Sequence, residues 1–184
     1  MKKEIKTKFL MYPTPVVIVG TEVNGKNNFI NIAHIGIIDM QTVSLSMGKP
    51  HFSNQGIKKN MTCSLNFFST SEIVPVDYVG LVSGAQVDKS TVFECEKGQL
   101  EGAPLIKSAK ISMECKVVEI IDRGSHDLFL VTPMHIYVED EILIDGKVDL
   151  KRLDPLLFDM ESMSYWSVGE NLGRCWNEGK KYTK

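Results

Sequence analysis

Along most of the chain, polar and apolar residues alternate with a period of two or gather in short apolar runs, and both patterns point to strands. Val16-Val17-Ile18-Val19 is a compact β-branched run closed by Gly20, which reads as a buried strand rather than a helix. Asn24-Gly25, followed by Lys26-Asn27-Asn28, marks a hairpin turn, after which Phe29 to Ile38 resumes an apolar stretch. Between Thr42 and Met47, Val43, Leu45 and Met47 share one face, and Gly48 and Pro50 stop the strand. Ser53 is placed to cap a short helix through Lys59, and Thr62 to Phe68 reads as another strand. Ser69-x-x-Glu72 has capping-box spacing for a helix towards Val82, with Pro75 in its first turn.

Periodicity fades between Val87 and Pro104, which predicts a long connection. Ile111, Met113, Cys115, Val117 and Glu119 then alternate, with Ile121 next on that face, as a long strand with one buried side. Asp122-Arg123-Gly124-Ser125 turns the chain, and His126 to Val138 returns as a second long strand. Pro133 lacks a ladder donor, so a bulge or an edge is expected there. Asp145-Gly146 is a tight turn, Leu150 to Leu157 a short helical candidate, and Gly169, Gly173 and Gly179 punctuate the end. Many short strands with few helices predict a mainly β fold, an antiparallel barrel or sandwich. A closed barrel has no free edges and leaves room for a ligand at its rim.

Composition narrows the function classes. With 184 residues, 43% apolar and 24% charged, the chain is expected to form one domain, 1–184, with its own core. A net charge of −2 and no long Lys/Arg block argue against a nucleic-acid partner. Lys2, Lys3, Lys6 and Lys8 at one end, and Lys180, Lys181 and Lys184 at the other, read as solvated termini. The longest apolar runs are too short to span a bilayer, and no signal-peptide core follows Met1-Lys2-Lys3-Glu4, so no membrane and a cytoplasmic location are expected. Cys63, Cys95, Cys115 and Cys175 form no C-x-x-C pair, against a zinc ribbon, an iron–sulfur site or a thioredoxin motif. Cys115 reads as a buried free thiol. There is no H-E-x-x-H metal motif and no G-x-S-x-G nucleophile elbow.

One ordered set of motifs goes further. Tyr12-Pro13-Thr14-Pro15 enters the first strand, Asn31-Ile32-Ala33-His34-Ile35 follows the first hairpin, and Lys49-Pro50-His51-Phe52-Ser53-Asn54 ends a later strand. Cys63-Ser64-Leu65-Asn66, Ser83-Gly84-Ala85-Gln86-Val87-Asp88-Lys89, Gly124-Ser125-His126-Asp127 and Tyr165-Trp166 complete the order. Together, from about Phe9 to Gly179, they resemble the flavin reductase-like family, flavoredoxin type. The resemblance implies an FMN-binding split β-barrel of Greek-key antiparallel strands, core about 9–179 with short extensions at both ends, usually a homodimer with flavin at the subunit interface. The flavin contacts it implies are Asn31, Ala33 and His34; Ser46, Met47, Gly48, Lys49 and His51; Ser53 and Asn54; and Lys89, His126, Tyr165 and Trp166. Two positions depart from the family pattern. Ala85 stands where Arg is common, which bears on the electron donor, and Ser53 replaces Thr, which keeps the hydroxyl.

Each residue has chemistry suited to the cofactor and also a plainer use. Lys49, Ser53 and Asn54, where a strand ends and a helix begins, suit a phosphate dianion, or a solvated lysine and a simple cap. Asn31 and His34 suit the ribityl chain or the pyrimidine edge, and Ala33 allows close approach; alternatively His34 is a satisfied histidine in a polar turn. Lys89 suits the N1–C2=O side of an anionic reduced flavin, or a surface ion pair with Asp88. His126 suits the same edge, as a cation or a neutral donor. Tyr165 and Trp166 suit the flavin face from a partner subunit, or packing of the C-terminal segment on the barrel. His135 matches no motif and reads as structural.

The flavin itself carries hydride chemistry, so no catalytic residue is expected. The function implied is electron transfer from NAD(P)H or a protein donor, through FMN, to a flavin, metal or protein acceptor. The alternatives are an FMN carrier without NAD(P)H reductase activity, with a redox protein as partner, and a non-enzymatic ligand-binding barrel that has lost the cofactor.

Overall fold

The structure is a computed structural model that describes residues 1–6 and 13–183. Lys8, Phe9, where the family resemblance starts, and Tyr12 of the Tyr-Pro entry motif lie outside the described residues. In chain order the strands are β1 (Thr14–Pro15), β2 (Val17–Val23), β3 (Lys26–Ile32), β4 (Ile35–Ile37), β5 (Val43–Gly48), β6 (Thr62–Phe67), β7 (Cys95–Glu96), β8 (Leu105–Ile106), β9 (Ile111–Asp122), β10 (His126–Val138), β11 (Leu143–Ile144), β12 (Lys147–Val148), β13 (Leu157–Asp159) and β14 (Ser164–Trp166). The α-helices are α1 (Ser53–Asn60), α2 (Ile73–Leu81) and α3 (Leu150–Leu153).

A seven-stranded antiparallel sheet runs in the order β3-β2-β6-β9-β10-β5-β4. Its two edge strands, β3 and β4, are consecutive in the chain and joined only by Ala33 and His34. Laid flat, the edges of such a sheet would lie about 29 Å apart, six spacings of ~4.8 Å. The three residue steps from Ile32 to Ile35 reach at most about 11 Å. The sheet must therefore roll into a barrel, and Ala33–His34 becomes its seam. The Ser46 amide donates to the His34 carbonyl at 2.9 Å and stitches that seam to β5. This is the mainly β split barrel that the alternation and the family resemblance imply.

The barrel interior collects Val17, Val19, Ile30, Ile32, Leu45, Met47, Cys63, Leu65, Cys115, Val117, Phe129 and Val131, with Ile57 of α1 inserted. A second cluster lies outside the wall, where Val16, Ile18 and Phe29 meet Val76 and Val79 of α2, Phe68, Phe93 and Leu156. The β2 strand is apolar on both faces because each faces a core, which is why its sequence is a run and not an alternation. Phe93 stands edge-on to Phe29 at 5.4 Å and beside Phe68 at 5.4 Å, anchoring the long Val87–Pro104 connection over the outer core. Cys115 and its cross-strand neighbour Cys63 are both buried free thiols, and burial pushes Cys63 up to about 12.

The local turns follow their residues. Asn24 and Gly25 take φ of 52° and 77°, and Asp145 and Gly146 take 50° and 72°, the positive pairs that two-residue hairpins require. Pro133 sits at a register break between Pro133 and His135, the predicted bulge. Three expectations are corrected. A second break, with Val118 as the extra residue opposite Leu130 and Val131, flips the phase of β9, so Ile120 rather than Ile121 packs on the barrel core. Ser53 does not cap α1; Phe52 holds that position without a side-chain bond, and the Ser53 hydroxyl accepts from Asn28 Nδ2 at 2.7 Å. Ser69 caps a 3-10 turn, Thr70–Glu72, by accepting from the Ser71 amide, and α2 starts only after it.

The expected single buried face of β9 is also wrong for its first half. Glu114 is fully buried on the opposite side, accepting from the amides of Gln99 (3.0 Å) and Leu100 (2.8 Å) and from the Tyr137 hydroxyl (3.0 Å). A Cβ at Gly98 would lie 2.1 Å from Glu114 Oε1, so only glycine lets the connection close over the carboxylate. Glu114→Ala removes three bonds to one buried carboxyl group and should cost about 2–3 kcal/mol in urea denaturation, whereas exposed Glu119→Ala should stay within about 0.5 kcal/mol.

Candidate functional site

The seam brings together residues that are far apart in the chain. A pocket of about 210 Å³ is lined by Asn31, Ile32, Ala33, His34, Ser46, Gly48, His51 and His126. Sheet register builds it: His126 lies opposite Gly48, Leu128 opposite Ser46, and Ser46 bonds back to His34. The His34 and His126 ring centres lie 6.5 Å apart, with the planes tilted by 47°. A Cβ on Gly48 would lie 3.3 Å from His51 Nε2 and 3.9 Å from His126 Nε2, so the absent side chain leaves both imidazoles close over bare backbone. Ser125 Oγ and His126 Nδ1 are 2.9 Å apart, which orients that ring. Burial, then His126, then Lys89 lower the pKa of His51, favouring its neutral form. The described residues hold no cluster of His, Cys, Asp or Glu suited to a metal ion.

Seven of the fourteen predicted contacts therefore share one pocket, and Ile32, which lies within a motif but not among the implied contacts, lines it too. The others are placed differently. Met47 points its side chain into the barrel core. Lys49 is at the surface, paired with Asp122 at 2.6 Å. Ser53 and Asn54 are buried, and the first-turn amides of Asn54 and Gln55 already donate to the carbonyls of His51 and Phe52. Asn54 Nδ2 reaches the Gly48 carbonyl and Asp127 Oδ2, both at 3.2 Å, while its Oδ1 is buried with no partner. Asp127 completes this support by pairing with Lys58 at 2.7 Å.

Lys89 is not the exposed partner of Asp88 that the plainer reading supposed; Asp88 pairs with Lys26 at 2.6 Å. Lys89 is only 4% exposed and donates to the carbonyls of Phe29 (2.9 Å) and Val79 (2.7 Å), tying α2 to β3 beside the pocket. Tyr165 is held within its own chain, donating to Asp77 Oδ1 at 2.7 Å and accepting from Asn31 Nδ2 at 3.1 Å. Trp166, next to it on β14, is 61% exposed. Asn66, the end of the Cys-Ser-Leu-Asn motif, is fully buried and bonds Ile18, Ile106 and Ser112, a structural use.

A profile of the flavin reductase like domain matches residues 9–167. The chain belongs to this family. Among solved structures it is similar to the flavoredoxin of Methanosarcina acetivorans, with 36% identity, a TM-score of 0.94, and coverage of 98% of each chain. It is also similar to the flavoredoxin of Desulfovibrio vulgaris (Miyazaki F), at 28% identity and a TM-score of 0.90, covering 97% of this chain and 100% of that one. A 62-residue stretch is 32% identical to an uncharacterized protein of Aeropyrum pernix, covering 34% of this chain but only 23% of that protein. Family and fold agree on a flavin-binding split barrel, and no helix among the described residues is long and apolar enough to cross a membrane.

Burial lowers the Lys89 ammonium from its ordinary 10.5 to about 8. Between these values the unfolded chain binds a proton that the folded chain releases. The penalty for burying the charge is thus complete below pH 8, and stability rises as pH climbs from 8 to 10.5. Unfolding free energies from urea titrations across that window should rise by at most about 1.4 kcal/mol per pH unit, a rise flattened in Lys89→Met.

Proposed function

We propose that the chain is an FMN-dependent electron-transfer protein whose flavin sits at the barrel seam and is enclosed by a second copy. The observation that carries this reading is the convergence of Asn31, Ala33, His34, Ser46, Gly48, His51 and His126 on one pocket. The donor set fits the cofactor. Imidazoles, a hydroxyl and an amide suit the ribityl chain and the polar edge of the ring, and Gly48 and Ala33 leave room for a flat ligand. Lys89 supplies positive charge for an electron-rich ring, and Lys49, released from Asp122, for the phosphate. Bound FMN supplies the redox chemistry; the protein's residues hold it, orient it and set its electrostatic surroundings.

At about 210 Å³ the pocket falls below the ~300 Å³ lower end of ordinary ligand sites, so one chain forms part of the cradle. Beside it, β4 and β10 border an open apolar groove of about 960 Å³ that includes Ile35, Ile37, Met40, Val43, Met134 and Ile136. Met40 is 99% exposed and Ile37 85%, a surface suited to burial against another copy. Because β4 borders both groove and seam, a dimer formed there would complete the flavin site.

The donor is read as a redox protein more than NAD(P)H. Exposed Ala85 offers only a methyl where the family often has Arg, and the similar solved structures named above are flavoredoxins. Purified protein incubated with FMN and desalted should retain flavin absorbance; a colourless product would overturn the cofactor reading. Turnover of NADH and NADPH with free flavin should be low, and brisk turnover would favour the reductase. Met40→Glu with Ile37→Asp should shift the protein to monomer in sedimentation velocity and weaken FMN binding at least tenfold, about 1.4 kcal/mol.

A further inference from the structure

We propose that Tyr165, anchored by Asp77, is a positioning residue that orients the Asn31 amide so that it presents its carbonyl oxygen, as an acceptor, to a flavin N–H or hydroxyl donor. The proposal rests on the flavin reading above. Asn31 projects from the outer face of β3 and lines the seam pocket. Its Nδ2 donates twice, to the Val76 carbonyl at 3.2 Å and to the Tyr165 hydroxyl at 3.1 Å. Val76 O can only accept, so it must face the NH₂ group, and the amide has one orientation. With both N–H bonds taken inside the protein, Oδ1 is the atom left to offer a ligand.

Tyr165 can accept from Asn31 only if its own proton points elsewhere, and Asp77 Oδ1 at 2.7 Å takes that proton. Burial first, and then the Asp77 carboxylate, push the phenol up to about 12, so the hydroxyl stays a donor to Asp77 and an acceptor for Asn31 across the working pH range. Close packing also holds the root of the side chain, since a Cβ on Gly80 of α2 would lie 3.0 Å from Asn31 Cβ. Asp77 and Tyr165 border a separate apolar depression with Ile73, Val74, Tyr78 and Leu81, on the outer side of α2. Within one chain the pair therefore reaches the seam pocket through Asn31.

The test is a double-mutant cycle read as the dissociation constant for FMN, by fluorescence titration of the full chain. Tyr165→Phe keeps the ring against Phe158 and should weaken FMN binding about five- to tenfold, the usual weight of one hydrogen bond. In an Asn31→Ala background the same change should have less than a twofold effect, because the group it orients is gone. Asp77→Asn, an exposed substitution that loosens the phenol without touching the pocket, should weaken binding two- to threefold, and this too should vanish with Asn31→Ala. Additive effects in the cycle, with wild-type protein binding FMN, would overturn the positioning role and leave the flavin reading intact. Wild-type protein that binds no FMN would overturn both.

Discussion

The two-residue link between β3 and β4 is the constraint on which the rest of the molecule depends. Because Ala33 and His34 must join the two edges of a seven-stranded sheet, the sheet rolls, and its inward faces become one apolar core. Closure at the seam brings the end of β3 beside β5 and the start of β10, strands separated from it by up to about a hundred residues. The pocket is thus a by-product of closure: its lining comes from the two strand ends being joined and from the residues opposite them in register.

The outer layer rigidifies that seam. Helix α2 is fastened to β3 by Lys89, which bridges the carbonyls of Phe29 and Val79, and by Asn31, which reaches Val76. The Asn31 attachment uses the outward face of β3, whose inward face carries Ile30 and Ile32 of the core. Helix α1 works from the other side, with Ile57 in the barrel and Asn54 and Ser53 bonded to Gly48 and Asn28. Side chains that a sequence reader would assign to a ligand are in several cases committed to this scaffold. Binding energy at such a site comes from the few groups left facing the pocket, held still by the others.

Charge placement follows the same division. The ion pairs of Lys49, Lys26, Lys107 and Lys110 lie near the surface and contribute little individually. Among the described residues the buried ionisable side chains are well tied: Glu114 by two amides and a phenol, Asp127 by Lys58 and Asn54, Lys89 by two carbonyls. Of these, only Lys89 is a cation beside the candidate flavin site. That asymmetry suits a cofactor that gains electrons.

Much of this was legible in the sequence by itself. Strand positions followed from alternation and hairpins from Asn24-Gly25 and Asp145-Gly146, because side-chain period and positive φ are local properties. Seven of the fourteen contacts implied by the family resemblance, Asn31, Ala33, His34, Ser46, Gly48, His51 and His126, line one pocket. What only the tertiary structure decided was the use of each group, since use depends on neighbours distant in the chain. Ser53 looked like a cap until Asn28 claimed its hydroxyl, and the plainer use of Lys89, an ion pair with Asp88, gave way to burial and two carbonyls. The bulge at Val118 moved Ile120 into the core because a register shift is a relation between two strands, which no single strand's pattern contains. Glu114 read as a polar residue on an exposed face, and only the closing of Gly98 over it made it an anchor.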